Sequence, residues 1–217
     1  LLTNSIWSMG YRTLPVTAFE QNCSIAWCNN TREAVIIDPG GDEERIYAAV
    51  SREDVRPVMV ALTHGHLDHV GATAMVARHY AIPVIGPHPD DRFWIDALQQ
   101  QVQMFGFPPV EDFTPDRWLQ AGDRLEYGDQ RLEVLHCPGH TPGHLVFYQA
   151  AEKVAFVGDV IFRGSIGRTD FPKGNHQQLL DSIRSQIFTL DAGVVLVPGH
   201  GPNTSVGDEK ASNPFVR

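Results

Sequence analysis

The sequence predicts an α/β fold in which two mixed β-sheets pack face to face, with helices on the outside. Short apolar segments typical of strands alternate with segments that have the spacing of amphipathic helices. Hairpin-like pairs of strand segments are also frequent, so we expect antiparallel as well as parallel pairing. No low-complexity segment or linker interrupts the pattern. We therefore expect residues 1–217 to form one domain with a shared core.

The first half of the chain contributes five predicted strands and three predicted helices. The strands are expected at 11–18, 24–28, 33–37, 57–62 and 83–86. The helices are expected at 43–50, 71–80 and 90–104. Asp42 is predicted to cap the first helix, because a carboxylate accepts hydrogen bonds from the free backbone N–H groups of a first turn. The proline- and aromatic-rich segment 105–115 is predicted to be a loop that lines a pocket.

The second half of the chain has the same kind of short strand and helix segments without repeating the sequence. Strands are expected at 124–127, 132–136, 145–148, 154–157 and 194–197, with one amphipathic helix at 176–187. These strands are short, and 145–148, 154–157 and 194–197 are wholly apolar, as buried strands are.

Composition excludes several classes of partner. The formal net charge of −9 argues against nucleic acid and against an anionic membrane surface. No apolar run approaches the ~20 residues that span a bilayer. The three cysteines, Cys23, Cys28 and Cys137, are too few and odd in number for a disulfide framework, which favours reduced thiols and a cytoplasmic location. Residues 1–8 lack the pattern of a secretory signal. We expect Met9 to be the natural start and residues 1–8 an added leader.

The central motif is His64-x-His66-x-Asp68-His69, which begins where an apolar strand ends. Side chains alternate in an extended segment, so His64 and His66 point the same way and can bind one ion. Asp68 and His69 fall in the following turn and the start of a helix, facing a neighbouring position. Imidazole and carboxylate groups together favour zinc, iron or manganese.

Three further strand ends carry metal-binding residue types beside glycine. His140 lies in Pro138-Gly139-His140-Thr141-Pro142-Gly143-His144, Asp159 follows Gly158, and His200 follows Gly199. Glycine permits a tight turn of the backbone next to a site. Four strand ends that converge on one rim are typical of a catalytic edge.

These motifs, in this order, resemble the metallo-β-lactamase superfamily and, within it, the glyoxalase II (hydroxyacylglutathione hydrolase) branch. The resemblance extends from Tyr11 to Pro202 and implies an αββα sandwich. It also implies a dinuclear centre with seven ligands. The first metal would take His64, His66 and His140, the second would take Asp68, His69 and His200, and Asp159 would bridge them. Aspartate rather than cysteine at the bridging position points away from true β-lactamases.

The resemblance implies a hydrolytic mechanism. Two divalent ions, with zinc expected and iron or manganese also suited, lower the pKa of a shared water so that hydroxide attacks a carbonyl carbon. Asp68 would help to orient that hydroxide. A thioester needs no dedicated general acid, because the departing thiolate requires little protonation. The expected substrate is a glutathione thioester such as S-lactoylglutathione.

The expected glutathione site differs from that of the long form of glyoxalase II. In the long form of glyoxalase II a C-terminal helical domain contacts glutathione, whereas only 17 residues follow His200 here. We expect a compact variant in which Arg163 or Arg168 pairs with a glutathione carboxylate. The alternative is that Arg168 pairs with Asp170 and only shapes the loop.

The same residues also fit other functions. The loop 162–171 also resembles that of persulfide dioxygenases, which bind one iron; the corresponding residues here are His64, His140 and Asp159. Hydrolysis of lactones or of other thioesters is a further alternative. A structural zinc module is disfavoured, because such sites are usually closed and rich in cysteine.

The remaining histidines are assigned supporting or surface roles. His144 is predicted to orient a ligand or to pack beside the site. His136 is expected to be structural, and His79, His88 and His176 are expected at the surface or at helix caps.

Overall fold

The computed structural model describes residues 8–217, so residues 1–7 of the expected leader lie outside the described part of the chain. A first sheet has the spatial order β1-β2-β3-β4-β5. Its strands are β1 (Met9–Val16), β2 (Gln21–Cys28), β3 (Glu33–Ile37), β4 (Arg56–Ala61) and β5 (Val84–Ile85). Strands β1 to β3 pair antiparallel, whereas β3, β4 and β5 pair parallel. The sheet is therefore mixed.

A second sheet contains six strands and is also mixed. In chain order they are β6 (Arg124–Tyr127), β7 (Gln130–His136), β8 (Leu145–Gln149), β9 (Val154–Gly158), β12 (Val195–Pro198) and β13 (Thr204–Ser205). Their spatial order is β13-β12-β9-β8-β7-β6, and only β9 and β12 pair parallel. A separate two-stranded ribbon is formed by β10 (Ile161–Phe162) and β11 (Ser165–Ile166).

Seven α-helices lie among the described residues. They are α1 (Glu43–Glu53), α2 (Leu67–Val70), α3 (Thr73–Tyr80), α4 (Arg92–Asp96), α5 (Leu98–Phe105), α6 (His176–Ser182) and α7 (Val206–Ser212). A 3-10 turn, Pro89–Asp91, precedes α4, and a π-helical turn, Ile183–Ile187, extends α6. In the part of the chain that the structure covers, none of these helices is long and apolar enough to cross a membrane.

Three apolar clusters separate four layers. The central strands β2, β3, β8 and β9 are buried on both faces, so alternate residues join different clusters. In β2, Ile25 faces α1 and α3, whereas Ala26 faces the second sheet. Phe147 and Phe156 fill the space between the sheets, and burial of each stabilises the fold by about 1.5–3 kcal/mol. A third cluster covers the outer face of the second sheet beneath α6 and α7. The predicted αββα sandwich is confirmed.

The prediction that the Asp42 side chain caps α1 is wrong. Asp42 occupies the N-cap position, but its φ is 52° and its side chain makes no capping hydrogen bond. Its Oδ2 accepts a hydrogen bond from the Thr17 backbone N–H at 2.7 Å instead. The carboxylate therefore ties the turn after β1 to the start of α1.

The single helix predicted over 90–104 is also wrong. The segment forms the Pro89–Asp91 turn and then two short helices that meet at Ala97. At this break the Trp94 carbonyl accepts a hydrogen bond from Gln101 Nε2 at 2.9 Å. A side-chain contact thus replaces part of the regular helical ladder, which apolar spacing cannot reveal.

The C-terminal helix α7 was not predicted from the sequence. Only Val206 among its residues is a buried hydrophobic, so the apolar periodicity is too weak to detect. The Ser205 side chain caps it by accepting a hydrogen bond from the Asp208 N–H at 3.1 Å. Its buried polar residue, Glu209, reaches towards the ribbon β10–β11.

Candidate metal centre

Four connections at one edge of the sandwich carry the predicted site residues. His64 follows β4, Asp159 follows β9, and His200 follows β12. His140 lies in the connection between β7 and β8. The structure brings all seven predicted ligands into two adjoining groups. They are His64, His66 and His140 in the first group, and Asp68, His69, Asp159 and His200 in the second.

The first group consists of three buried histidines. The potential ligand atoms of His64, His66 and His140 all lie within 4.8 Å of one another. His66 Nδ1 is 3.0 Å from His140 Nε2. The rings of His64 and His66 are held by the turn that follows β4, as the motif predicted.

The second group combines two carboxylates with two histidines. His200 Nε2 lies 3.0 Å from Asp68 Oδ2. His69 Nε2 lies 3.6 Å from Asp68 Oδ2 and 3.2 Å from Asp159 Oδ1. Asp68 and His69 belong to the one-turn helix α2, so the short helix places both side chains at the same position.

Asp159 lies between the two groups. Its Oδ2 is 3.5 Å from His140 Nε2 and 3.9 Å from His64 Nε2, both in the first group. The same oxygen is 3.6 Å from His200 Nε2, and Oδ1 faces His69. One carboxylate is thus within reach of ions at both positions.

Hydrogen bonds on the outer side of the histidine rings determine which nitrogen faces the centre. His69 Nδ1 donates to Asp38 Oδ2 at 2.8 Å, and His140 Nδ1 donates to the Arg168 carbonyl at 2.6 Å. His64 Nδ1 donates to the Thr63 hydroxyl oxygen at 2.9 Å. With Nδ1 as the donor of each neutral ring, Nε2 is left free to bind a cation at the centre.

The electrostatics of the two groups differ. Burial lowers the pKa of His64 well below its usual value, and the neighbouring histidines lower it further. Burial also opposes the charged form of His69, but the carboxylates of Asp159 and Asp68 outweigh it and raise the pKa of His69. The pKa of Asp159 is held well below its usual value because the effect of burial is outweighed by His69, His200 and His140. The ionised carboxylate of Asp159 therefore faces the position where a cation would bind.

The donor set fits divalent metal ions. The buried atoms His64 Nε2, His69 Nε2 and Asp159 Oδ1 have no hydrogen-bond partner among the described residues. Buried polar atoms are normally paired, so three that face one space indicate a ligand. Imidazole nitrogen and carboxylate oxygen are ligands for zinc, iron and manganese.

Asp38 is a functional residue that the sequence reasoning missed. Besides holding His69, its Oδ1 accepts from the Thr63 N–H at 2.8 Å and its Oδ2 accepts from the Thr63 hydroxyl at 2.6 Å. It therefore orients both His69 and, through Thr63, His64. The available signal was its place directly after the apolar strand β3, the same relation that Asp159 has to β9.

Asp91 was also missed, and it connects the loops that carry the first group. It is buried, and its carboxylate accepts hydrogen bonds from Gly65 N at 2.9 Å, Thr141 Oγ1 at 2.8 Å and Gly143 N at 2.6 Å. No sequence motif marks this residue, because its partners are 26 to 52 residues away.

The other histidines lie outside the two groups. His144 Nε2 accepts a hydrogen bond from Asp159 N at 3.0 Å, and its ring stacks on His64 at 4.3 Å, which fits the expected supporting role. His88 accepts from Asp90 N at 3.0 Å and so caps the turn Pro89–Asp91. Its ring stacks on that of His136 with centroids 4.2 Å apart.

A cavity of about 460 Å³ opens onto both groups. Five phenylalanines contribute to its walls: Phe19, Phe105, Phe107, Phe162 and Phe171. Of the two arginines expected to bind substrate, Arg168 lines the cavity and Arg163 does not. Arg168 makes two hydrogen bonds of 2.7 Å to Asp170, which is the alternative that the sequence left open.

Comparison with known proteins agrees with this geometry. The family model described as the metallo-beta-lactamase superfamily matches residues 16–200. Hydroxyacylglutathione hydrolase GloC of Haemophilus influenzae is 45% identical over 209 residues, which cover 96% of this chain and 98% of that protein. The probable metallo-hydrolase YqgX of Bacillus subtilis is 34% identical, with 96% and 98% covered.

Solved structures give the same result. The B3 metallo-beta-lactamase BLEG-1 superposes with a TM-score of 0.88 at 37% identity, covering 95% of this chain and 99% of that one. TTHA1623 in a di-iron-bound form has a TM-score of 0.86 at 33% identity, with 94% and 100% covered. ETHE1 from Myxococcus xanthus has a TM-score of 0.78 at 26% identity, with 94% and 83% covered.

Proposed function

This chain belongs to the metallo-beta-lactamase superfamily, and from that premise we propose that it hydrolyses glutathione thioesters, such as S-lactoylglutathione, at a dinuclear metal centre. The single observation that carries the proposal is the position of Asp159 between two complete groups of ligand atoms. The 45% identity with a hydroxyacylglutathione hydrolase over nearly the whole chain supports the substrate class.

We assign the ligands as follows. His64, His66 and His140 would hold one ion, and Asp68, His69 and His200 would hold the other, with Asp159 within reach of both. Two divalent ions, when bound there, supply an electrophile for the carbonyl oxygen and lower the pKa of water to near neutrality. Zinc is our expected metal, and the same donor set suits iron or manganese. TTHA1623, a related structure, is a di-iron form.

The protein orients the attacking water and the histidines, and it supplies the apolar walls of the cavity. Asp68 is partly exposed towards the cavity, so its carboxylate is placed to accept a hydrogen bond from the attacking water. Asp38 and Asp91 hold the histidines and their loops, so little reorganisation is needed when substrate binds. No side chain has to protonate the leaving group, because a thiolate departs readily.

Arg168 is our candidate for contact with a glutathione carboxylate, with Arg163 as a second one outside the cavity. Guanidinium groups bind carboxylates with two parallel hydrogen bonds, the arrangement that Arg168 makes with Asp170. Both residues of this pair are exposed. A substrate carboxylate can therefore exchange with Asp170 at low cost, since exposed ion pairs contribute little to stability.

The alternative functions have weaker support. A persulfide dioxygenase would use His64, His140 and Asp159 with one iron, leaving Asp68, His69 and His200 without a role. The structure named ETHE1 is 26% identical, below the 45% of the hydrolase. Lactones and other thioesters remain alternative substrates. BLEG-1 is named a B3 metallo-beta-lactamase, so a β-lactam is a further alternative substrate.

The binding partners and the cellular location of the protein stay predictions. A small-molecule substrate follows from the hydrolase assignment. The absence of nucleic-acid and membrane partners rests on the net charge of −9, and the cytoplasmic location rests on the scarcity of cysteine. The three thiols are free and buried.

The experiment is turnover of S-D-lactoylglutathione by the purified protein, before metal removal, after it, and after re-addition of Zn²⁺, Fe²⁺ or Mn²⁺. We expect thioester loss that disappears on removal and returns on re-addition. Oxygen uptake with glutathione persulfide is measured in parallel. A metal-loaded protein that leaves the thioester intact but consumes oxygen with persulfide would overturn the hydrolase assignment.

A further inference from the structure

The walls of the cavity are aromatic on both sides of the metal centre. The Phe171 ring lies 5.5 Å from the His66 ring, in the first group. The Phe162 ring lies 6.1 Å from the His200 ring, in the second group. A substrate carbonyl placed between the groups would thus have a phenylalanine ring on either side.

These rings are held by further packing. Phe171 contacts Phe105, with centroids 5.8 Å apart, and the Arg168 guanidinium covers it at 4.1 Å. Two other lining residues, Phe19 and Phe107, pack together with centroids 5.5 Å apart. The apolar surface is therefore formed before substrate arrives, which reduces the ordering cost of binding.

The cavity offers little to hold a charged group away from the metal ligands. Arg168 is the only lysine or arginine among its lining residues, and its exposed guanidinium, paired with Asp170, lies at the rim and not in the interior. Gln101, the other polar lining residue outside the ligand set, uses its amide to bond Leu67 N, Gly65 O and Trp94 O. The charged ends of glutathione are better placed at the rim, and the acyl group is left to fill the interior.

The volume exceeds what a lactoyl group needs. Pockets of about 300–1,000 Å³ bury drug-sized molecules, and this cavity of about 460 Å³ falls in that range. A lactoyl group ends in a single methyl, which would leave most of the phenylalanine surface in contact with water. A ring in place of that methyl would cover this phenylalanine surface and remove it from water.

We propose that the preferred substrates are glutathione thioesters whose acyl group carries a ring-sized apolar substituent, with the five phenylalanines as the specificity-determining surface. This inference rests on the proposed function and names its substrate class more closely. S-Mandeloylglutathione, in which phenyl replaces the methyl of the lactoyl group, is the matched probe.

The test compares kcat/KM for S-mandeloylglutathione and S-lactoylglutathione with the metal-loaded enzyme, each value divided by the rate of hydroxide hydrolysis of the same thioester. This division removes the intrinsic difference in reactivity. We expect a normalised ratio of about tenfold or more in favour of mandeloyl, since one methylene in an apolar pocket already changes kcat/KM by about 10- to 200-fold. Inhibition by the product acids gives a readout without the chemical step, and mandelate should inhibit at lower concentration than lactate.

Phenylalanine variants identify which side chains produce the preference for mandeloyl over lactoyl. Phe105→Ala and Phe171→Ala should reduce the normalised ratio, whereas Phe171→Leu should retain most of it. Phe215→Ala is the matched control, because Phe215 is 51% exposed and does not line the cavity. A ratio near one or below, with S-lactoylglutathione still hydrolysed, would overturn this inference and leave the proposed function standing. Failure to hydrolyse either thioester would overturn both.

Discussion

Asp91 accepts a hydrogen bond from the Thr141 hydroxyl at 2.8 Å, although neither residue is a metal ligand. The same carboxylate accepts from Gly65, which separates His64 and His66. One buried group therefore couples the loop of the first two histidines to the loop that carries the third. Burial raises the pKa of Asp91 to about 6 despite the three hydrogen bonds. It is ionised near neutral pH, where it accepts from all three donors.

Asp91→Asn should weaken metal binding at the first group. An asparagine side chain places N–H groups against at least one of the three donors, so the two loops lose a shared partner. We expect metal affinity and kcat to fall by about 10- to 100-fold. Metal content after dialysis against a weak chelator measures the effect. Asp90→Asn, at the adjacent exposed position, is the control and should retain two ions per chain; equal behaviour of the two variants would contradict the role given to Asp91.

Asp159→Ala should remove activity and lower metal content below two ions per chain. The carboxylate lies within 4 Å of nitrogens from both groups, so its loss affects both positions. His66→Ala removes a ligand from one group only and should leave one ion bound. Elemental analysis of the purified variants distinguishes these results. Asp96→Ala, an exposed carboxylate on α4, is the control. Two ions and full turnover in Asp159→Ala would refute the shared ligand.

Metal binding should release protons, with His200 among the sources. Burial opposes its charged form, but Asp159 and Asp68 raise the pKa of His200 to about 9. In the metal-free protein this ring is therefore protonated below about pH 9, and a metal at Nε2 must displace that proton. Metal affinity should fall as the pH falls from about 9 to about 7.

Calorimetric titration of the metal-free enzyme with Zn²⁺, in two buffers of different ionisation enthalpy at about pH 7, counts the protons released. His200→Asn should release about one proton fewer than the unaltered chain. His176→Asn, at the exposed start of α6, is the control and should release the same number as the unaltered chain. A protonated imidazole cannot bind metal through Nε2 without losing that proton. Equal release by His200→Asn and the unaltered chain would therefore remove His200 from the ligand set.

The contrast between Asp159 and Asp91 shows what the sequence was able to predict. Asp159, His140 and His200 each follow or join apolar strands and stand beside glycine, so local pattern identified them and the sandwich that holds them. Asp91 and Asp38 act through hydrogen bonds to distant segments, which no local pattern records. The same reason explains the break at Ala97, where a tertiary contact overrides helical spacing. The single-domain organisation stays a prediction.

Glu209 on α7 should control substrate affinity without touching the metal centre. It is buried, and its Oε1 accepts hydrogen bonds from Gly164 N at 2.8 Å and Asn213 Nδ2 at 3.0 Å. Asn213 Nδ2 also donates to the Ser165 carbonyl at 3.1 Å. These contacts hold the ribbon β10–β11, whose Phe162 lines the cavity. The C-terminal helix thus positions the wall that faces the substrate.

Glu209→Ala removes the oxygen that accepts from Gly164 N, so the direct contact of this side chain to the ribbon should be lost. We expect KM for glutathione thioesters to rise about three- to tenfold, as loss of one hydrogen bond allows, with kcat within about twofold and two ions still bound. Asp208→Asn, the exposed neighbour, is the control for charge on α7. A fall in kcat and metal content with KM unchanged would show that α7 supports the metal centre itself and not the substrate wall.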